Sequence, residues 1–403
     1  MIISVISDCH LGFSPEIRLE EDSYKNFEEA FNKALDSDLI ILCGDLFDSR
    51  APKTKAWAYA LKVLSKVSLE SDRGVRLVET NKKLKENSIK TISHLPVIAI
   101  HGNHEVRVKG EINAIEALEN AGFLVHLDKH YITFEKNGEF VTIHGMSHVA
   151  ERLAKDVLYK WSPIPKQNSF NILLLHQNIH PFVYSPLDEP SINVSNLPSN
   201  FDIIVDGHIH VHTVEKIGNS LLVFPGSTVI TQFQPSEAEI QKGFVKIDTS
   251  SKKVEFVPIS QRKFFYEVLE LKGLNGREIL ERRVREIIFN NLQPIIKFRI
   301  NGEISEKELR EIEKKYWDLA ILMFARSLES SELASKIEFI RNVRDQKLSL
   351  DELGVTLLKK TLDELGFKGS FDFFDVFNLL KEEEIDLALK ILTGEQSTLR
   401  MMK

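Results

Sequence analysis

The chain has only two cysteines in 403 residues, Cys9 and Cys43, too few for a disulfide framework. No apolar run approaches the ~18 residues that a membrane span needs. Met1 leads straight into the strand-like Ile2-Ile3-Ser4-Val5-Ile6, without the basic stretch that opens a signal peptide. The expectation from these absences is an intracellular protein. Glycine, proline and serine are not in excess, which argues against long disordered segments. Positive charge is not in excess either: the formal net charge of −7 excludes a protein that holds nucleic acid by bulk charge.

What charge there is lies unevenly. From Arg50 to Lys90 there are eleven Lys or Arg against four acids, Glu70, Asp72, Glu79 and Glu86. Such a run is usually a solvated helical face; a contact with a phosphate backbone would have to use a local patch of this kind.

A chain of this length needs two or three domains. Its first 250 residues are organised around short apolar runs rich in β-branched residues, which read as buried strands. Ile2 to Ser7 ends in Asp8-Cys9-His10, Leu39 to Cys43 in Gly44-Asp45-Leu46-Phe47-Asp48, and Pro96 to Ile100 in His101-Gly102-Asn103-His104-Glu105. Phe170 to Leu175 ends in His176-Gln177-Asn178, and Phe201 to Val205 in Asp206-Gly207-His208-Ile209-His210. Helical patterns at 22–35, 53–66 and 111–121 alternate with them, so the fold class is α/β. Ligands of such folds sit at the carboxyl ends of the strands. Five strand ends carrying Asp, Asn and His place Asp8, His10, Asp45, Asn103, His104, His176, His208 and His210 around one crevice.

Near Ser251 the pattern changes. Strands at 252–260, 264–271, 295–300 and 319–326 surround helices at 276–290 and from Ser305, where Glu308 completes a capping box. This block carries no cluster of metal-type residues and reads as an accessory domain. From Ser330 the chain is helical in pattern and mildly acidic, with Leu353, Leu357, Leu358, Leu362 and Leu365 at helical spacing. It either packs on the parent domain or docks a partner.

Carboxylate, amide and imidazole without thiolate suit Mn²⁺, Fe²⁺ or Zn²⁺. Seven candidate ligands (Asp8, His10, Asp45, Asn103, His176, His208 and His210) are too many for one tetrahedral ion and point to two. Two close ions clamp a phosphoryl group and acidify water; on ligand chemistry alone a di-iron oxidation site stands as the alternative. Cys9, between two ligands, and Cys43 read as core packing. So do His94, His101, His126, His130, His144 and His148; His180 and His212, four and two residues after candidate ligands, have a place against the substrate or behind the ligands as the alternative to packing.

In order and spacing, Asp-x-His, Gly-Asp-x-x-Asp, Gly-Asn-His-Glu, His and Gly-His-x-His resemble the signature of the calcineurin-like metallophosphoesterases. The stretches around them resemble the SbcD/Mre-eleven nucleases of double-strand-break repair, as do Phe224-Pro225-Gly226-Ser227 and Arg262-Lys263-Phe264-Phe265. The resemblance covers about residues 1 to 330.

It implies a metallophosphoesterase β-sandwich flanked by helices (1–250), a smaller α/β DNA-capping domain (251–330) and a helical segment (331–403) that docks an SMC-like ABC ATPase of the SbcC/Rad-fifty type. It further implies two Mn²⁺ per chain, with Mg²⁺, Fe²⁺ or Zn²⁺ as other occupants, and a homodimer using helices near 53–66 and 111–121. Asp8, His10 and His210 would hold one ion, Asn103, His176 and His208 the other, and Asp45 would bridge them. His104 is implied as the acid for the leaving oxygen, with Glu105 orienting it. Asp48, where some relatives have histidine, is expected outside the ligand set, behind a ligand. The alternatives are a phosphatase or nucleotide phosphodiesterase, and a DNA-end tether with structural metals.

Overall fold

The computed structural model describes residues 1–84, 92–107, 110–183, 191–271, 275–291 and 293–326, and beyond them 355, 358–359, 372–381, 387 and 389–391. Met1–Ala325 forms one compact unit and Arg326–Lys403 a second.

In chain order the strands begin with β1 (Ile2–Ile6), β2 (Leu39–Cys43), β3 (Arg76–Thr80), β4 (Val97–Ile100), β5 (Val125–His126) and β6 (His130–Lys136). They continue with β7 (Glu139–Gly145), β8 (Phe170–Leu175), β9 (Ile179–His180), β10 (Ile192–Asn193), β11 (Ile203–Asp206) and β12 (Thr213–Ile217). The last are β13 (Ser220–Phe224), β14 (Gly243–Asp248), β15 (Lys253–Pro258), β16 (Phe264–Leu271), β17 (Ile295–Gly302) and β18 (Ile321–Arg326). The helices used below are α1 (Glu20–Ala34), α2 (Thr54–Leu64), α3 (Ala114–Asn120), α4 (Glu151–Trp161), α5 (Pro235–Ala238), α6 (Gly276–Ile288), α7 (Glu306–Lys315) and α8 (Phe373–Lys381).

Two sheets face each other. One runs β15-β14-β1-β2-β4-β5 and the other β12-β13-β11-β8-β7-β6-β3. Their inner faces share a core in which Ile3, Val5, Ile41 and Ile98 meet Phe134, Ile143, Ile172 and Val205. Residues one step along the same strands point outward. Ile40, Leu42 and Ala99 pack under Phe27 and Phe31 of α1, Ala60 and Val63 of α2, and Leu118 of α3. On the other outside, Leu173, Leu175 and Ile204 pack under Ala154 and Leu158 of α4. A strand covered on both faces has no polar side, which is why these segments read as unbroken apolar runs. Each fully buried aliphatic side chain contributes roughly 1.5–3 kcal/mol. The architecture is a β-sandwich between helical layers.

A third sheet, β16-β17-β18, has its own core. Ile296, Phe298 and Ile300 meet Leu280 and Val284 of α6 and Leu309 and Ile312 of α7. Ser305 caps α7 as its sequence predicts: its Oγ accepts the Glu308 N–H at 3.2 Å and the Glu308 carboxylate accepts the Ser305 N–H at 3.0 Å. The opposite face brings Phe264, Ile295 and Ile321 against Leu19, Ile230 and Phe233. Arg262 closes the seam with a two-pronged bond to Asp22, at 2.7 and 2.8 Å.

Two expectations change in detail. The helix expected at 111–121 spans only Ala114–Asn120, because the Asn113 side chain accepts the Glu116 N–H at 2.9 Å and so caps it. Six of the basic residues counted from Arg50 are paired within the fold: Lys55 with Glu20 and Glu21, Lys62 and Lys66 with Glu28, Arg73 with Glu70, Arg76 with Asp72 and Lys82 with Glu119. Of the helices expected after Ser330, α8 is described; the leucine pattern at 353–365 lies almost entirely outside the described residues. Among the described residues, no helix is long and apolar enough to cross a membrane.

Candidate metal centre

The five polar strand ends meet, although they belong to two sheets. Asp8 and His10 follow β1, Asp45 follows β2 and Asn103 follows β4; His176 follows β8 of the facing sheet, and His208 and His210 follow its neighbour β11. The carboxyl ends of parallel strands in both sheets therefore open on one place. His176 crosses between them, its Nδ1 donating to the Cys43 carbonyl at 2.9 Å.

The chain accepts unusual backbone to converge so tightly. Asp8, His10, Asp45 and His208 all have left-handed conformations, with φ of 52°, 45°, 49° and 66°. Each such non-glycine residue costs about 1–3 kcal/mol, the kind of strain that collects at functional sites. Glycines supply the close approach. A Cβ on Gly102 would stand 2.1 Å from Asp45 Oδ1, and one on Gly207 would stand 2.2 Å from the Cys43 carbonyl and 2.5 Å from His176 Nδ1.

Among the described residues three candidate ligand groups emerge, Asp8–His10–His210, Asp8–Asp45–His176 and His10–Asp45–His104. His210 Nε2 lies 3.4 Å from Asp8 Oδ1 and 3.2 Å from His10 Nε2. His176 Nε2 lies 3.4 Å from Asp45 Oδ2 and 3.2 Å from Asn103 Oδ1, to which His208 Nδ1 approaches at 3.1 Å. Asp45 Oδ2 is also 4.0 Å from His10 Nε2. Ligand atoms ~2.1 Å from one ion stand about 3.0–3.4 Å apart at octahedral to tetrahedral angles. Asp8 Oδ1 is buried with no hydrogen-bond partner. Such an atom carries a large desolvation cost unless a cation meets it.

The electrostatics point the same way. Burial alone would raise the Asp45 carboxyl, but the charge of and hydrogen bond to His176, with His10 and His104, hold it far below the carboxylate range. Burial alone would lower His176, yet Asp45 and Asp8 push it up to about 10. Two buried carboxylates thus stabilise positive charge between them, and the donor set fits divalent metal.

The flanking residues are braces. Asp48 Oδ1 stands 3.0 Å from His10 Nδ1 and holds that ring with Nε2 turned inward. The Asp48 carbonyl accepts from His104 Nδ1 at 3.0 Å, leaving His104 Nε2 on the open side, 3.9 Å from Asp45. The His104 side chain is 38% exposed, whereas Asp8, Asp45 and His176 are buried.

Glu105 makes no hydrogen bond to the His104 ring, which corrects the expectation that it orients that group directly. Its carboxylate accepts the Gly102 and Phe47 N–H groups at 3.0 Å each, tying the Asn103 loop to the Asp45 loop, and burial pushes it up to about 8. Asp206 also ties the strand ends together, accepting the Gln177 N–H at 3.0 Å. Cys9 and Cys43 are buried, and burial pushes both thiols well up. His101 and His126 bond each other at 3.1 Å within the core loops, and His212 stacks on Phe256 at 4.7 Å. Ser7, Thr231, Glu237 and Lys242, which also brace ligands, carry no local pattern that marks them in the sequence.

The description of this fold and cluster is met by a family: the family model for calcineurin-like phosphoesterases matches residues 1–212, and the chain belongs to that family. Within it, the chain is a member of the Mre11 group. It is 30% identical over 334 residues to the DNA double-strand break repair protein Mre11 of Sulfurisphaera tokodaii, covering 77% of this chain and 78% of that one. The Mre11 protein of Methanopyrus kandleri is 28% identical over 309 residues, 71% of this chain and 62% of its own length. The double-strand break repair protein of Encephalitozoon cuniculi is 26% identical over 308 residues, 72% of this chain and 53% of its own. The chain thus spans little more than half the length of some of its relatives.

Proposed function

We propose that this protein is a metal-dependent phosphodiester hydrolase that cuts DNA at or near ends in double-strand-break repair. The observation that carries the reading is the Asp45 carboxylate, which lies between the two imidazole groups, 4.0 Å from His10 Nε2 and 3.4 Å from His176 Nε2. Both distances are to Oδ2, since Oδ1 accepts the His104 N–H at 3.0 Å; one carboxylate oxygen has the lone pairs to face two ions, whereas an imidazole presents one. Asp8, His10 and His210 would hold one ion, Asn103, His176 and His208 the second, and Asp45 would serve both. When bound, the ions supply hydroxide at neutral pH and a clamp for the phosphoryl oxygens. His104, fixed through Nδ1 on a side chain that is 38% exposed, would hold the proton that the leaving oxygen takes. Asp48 keeps the His10 ring in register.

The membership of the Mre11 group supports DNA as substrate. Mn²⁺ is the favoured ion, with Mg²⁺, Fe²⁺ or Zn²⁺ as other occupants. Residues 1–250 form the nuclease domain, 251–330 cap the DNA and 331–403 dock an SMC-like ABC ATPase, while the protein works as a homodimer. The test is cleavage of end-labelled linear duplex DNA against p-nitrophenyl phosphate esters, with Mn²⁺, Mg²⁺ or chelator. DNA degraded in Mn²⁺ and spared by chelator is expected. Ester hydrolysis with DNA left intact would overturn the nuclease reading. Deleting the chain after Leu348 is expected to abolish co-purification of the ATPase while sparing cleavage; an unchanged pull-down rejects the docking segment.

A further inference from the structure

Burying two charges costs several kcal/mol per ion, and the pair persists only where its geometry and hydrogen bonds are complete. Behind the metal cluster lies such a pair. The Lys242 and Glu237 side chains are 1% and 3% exposed and 2.8 Å apart. Neither takes part in the chemistry proposed above, and neither lies in a strand-end motif.

Every polar atom of the pair is spent on the His210 loop, on the 227–233 loop or within the pair. Lys242 Nζ donates to Glu237 Oε1 at 2.8 Å, to Ser227 Oγ at 2.9 Å and to the His210 carbonyl at 3.2 Å, which uses all three of its protons. Glu237 Oε1 accepts the Thr231 N–H at 3.2 Å, and Oε2 accepts those of Gln232 and Phe233 at 2.7 and 2.8 Å. The turn so gathered points the Thr231 hydroxyl at His210 Nδ1, 2.6 Å away. His210 is therefore held twice, at its carbonyl by Lys242 and at its ring by a threonine that Glu237 positions.

We propose that Lys242, Glu237 and Thr231 are positioning residues for His210. Thr231 accepts the proton of Nδ1 and so leaves the lone pair on Nε2, beside Asp8. The ion pair sets the height of the His210 backbone and the place of the Thr231 hydroxyl. A ring nitrogen chosen in this way is the usual device for orienting a metal-bound imidazole. The proposal rests on the reading of His210 as a metal ligand and adds the residues that make it one.

The test is Mn²⁺ binding by calorimetry to the full chain, with thermal unfolding as the control for folding. Thr231→Val keeps the shape and removes the hydroxyl; Thr231→Ser keeps the hydroxyl and removes the methyl. In Thr231→Val one Mn²⁺ site is expected to weaken about 10–100-fold, the other staying as in wild type. Thr231→Ser is expected to bind as wild type. Lys242→Met alone would strand the Glu237 charge, so the neutral double variant Lys242→Met with Glu237→Gln is used, and the same site is expected to weaken. Wild-type affinity in Thr231→Val, or equal losses in Thr231→Val and Thr231→Ser, would overturn the proposal. A wild type that takes up one ion counts against the paired-ion reading alone, since the difference between the two threonine variants on that ion still decides the role.

Discussion

The two halves of the candidate metal cluster are braced by different means. In the half built on Asp8, His10 and His210, the outer ring nitrogens meet side chains, Asp48 behind His10 and Thr231 behind His210. In the half built on His176, the outer nitrogen meets the Cys43 main-chain carbonyl at the end of a strand. A side-chain brace can be removed with the backbone in place. A main-chain brace comes with the sheet and yields only if the chain itself is moved. The first half is therefore the one that point mutation can tune, and the second is the rigid reference.

Substitutions test this contrast in decreasing order of effect. Asp45→Ala removes the carboxylate that faces both halves, so both ions and all cleavage are expected to be lost; metal analysis still giving two ions per chain would end the bridging role. His104 belongs to neither half. His104→Asn is expected to keep both ions and lose about 10²–10⁴-fold in cleavage rate, as befits a general acid. Gly207→Ala attacks the rigid half, because its Cβ would lie 2.2 Å from a backbone oxygen and 2.5 Å from the His176 ring. Overpacking of this kind costs about 1–3 kcal/mol, so a lowered Tm and a weakened His176 site are expected together. Asp48→Ala attacks only the tunable half: about a 10–100-fold loss of affinity at one ion with an unchanged Tm is expected in a Mn²⁺ titration. Equal weakening of both ions by Asp48→Ala would erase the distinction.

The candidate ligands were legible because each follows an apolar run at a short, fixed distance. Ile2–Ile6 and Leu39–Cys43 announce themselves as strands, and Asp8 and Asp45 stand just past their ends. The accessory layer was legible for the same reason, down to the capping box at Ser305 and Glu308. Half-exposed strands such as β12, with its alternation weakened by Glu215 and Lys216, left no such trace. Glu105 was misread because adjacency in sequence suggested that it serves His104; the left-handed and tight turns of these loops send its carboxylate back to Gly102 and Phe47 instead.

By itself, the sequence determined which segments become strands, which polar groups stand at their ends, and in what order, since these follow from local patterns of apolar residues. Only the tertiary structure decided that two sheets rather than one supply those ends, and that Asp45 falls between His10 and His176. It also decided which nitrogen of each ring turns inward. That choice depends on partners far along the chain, as with Asp48 for His10 and Lys242, Glu237 and Thr231 for His210. A buried lysine and glutamate look in sequence like any surface pair, and only packing against the loops of the candidate metal site makes them otherwise.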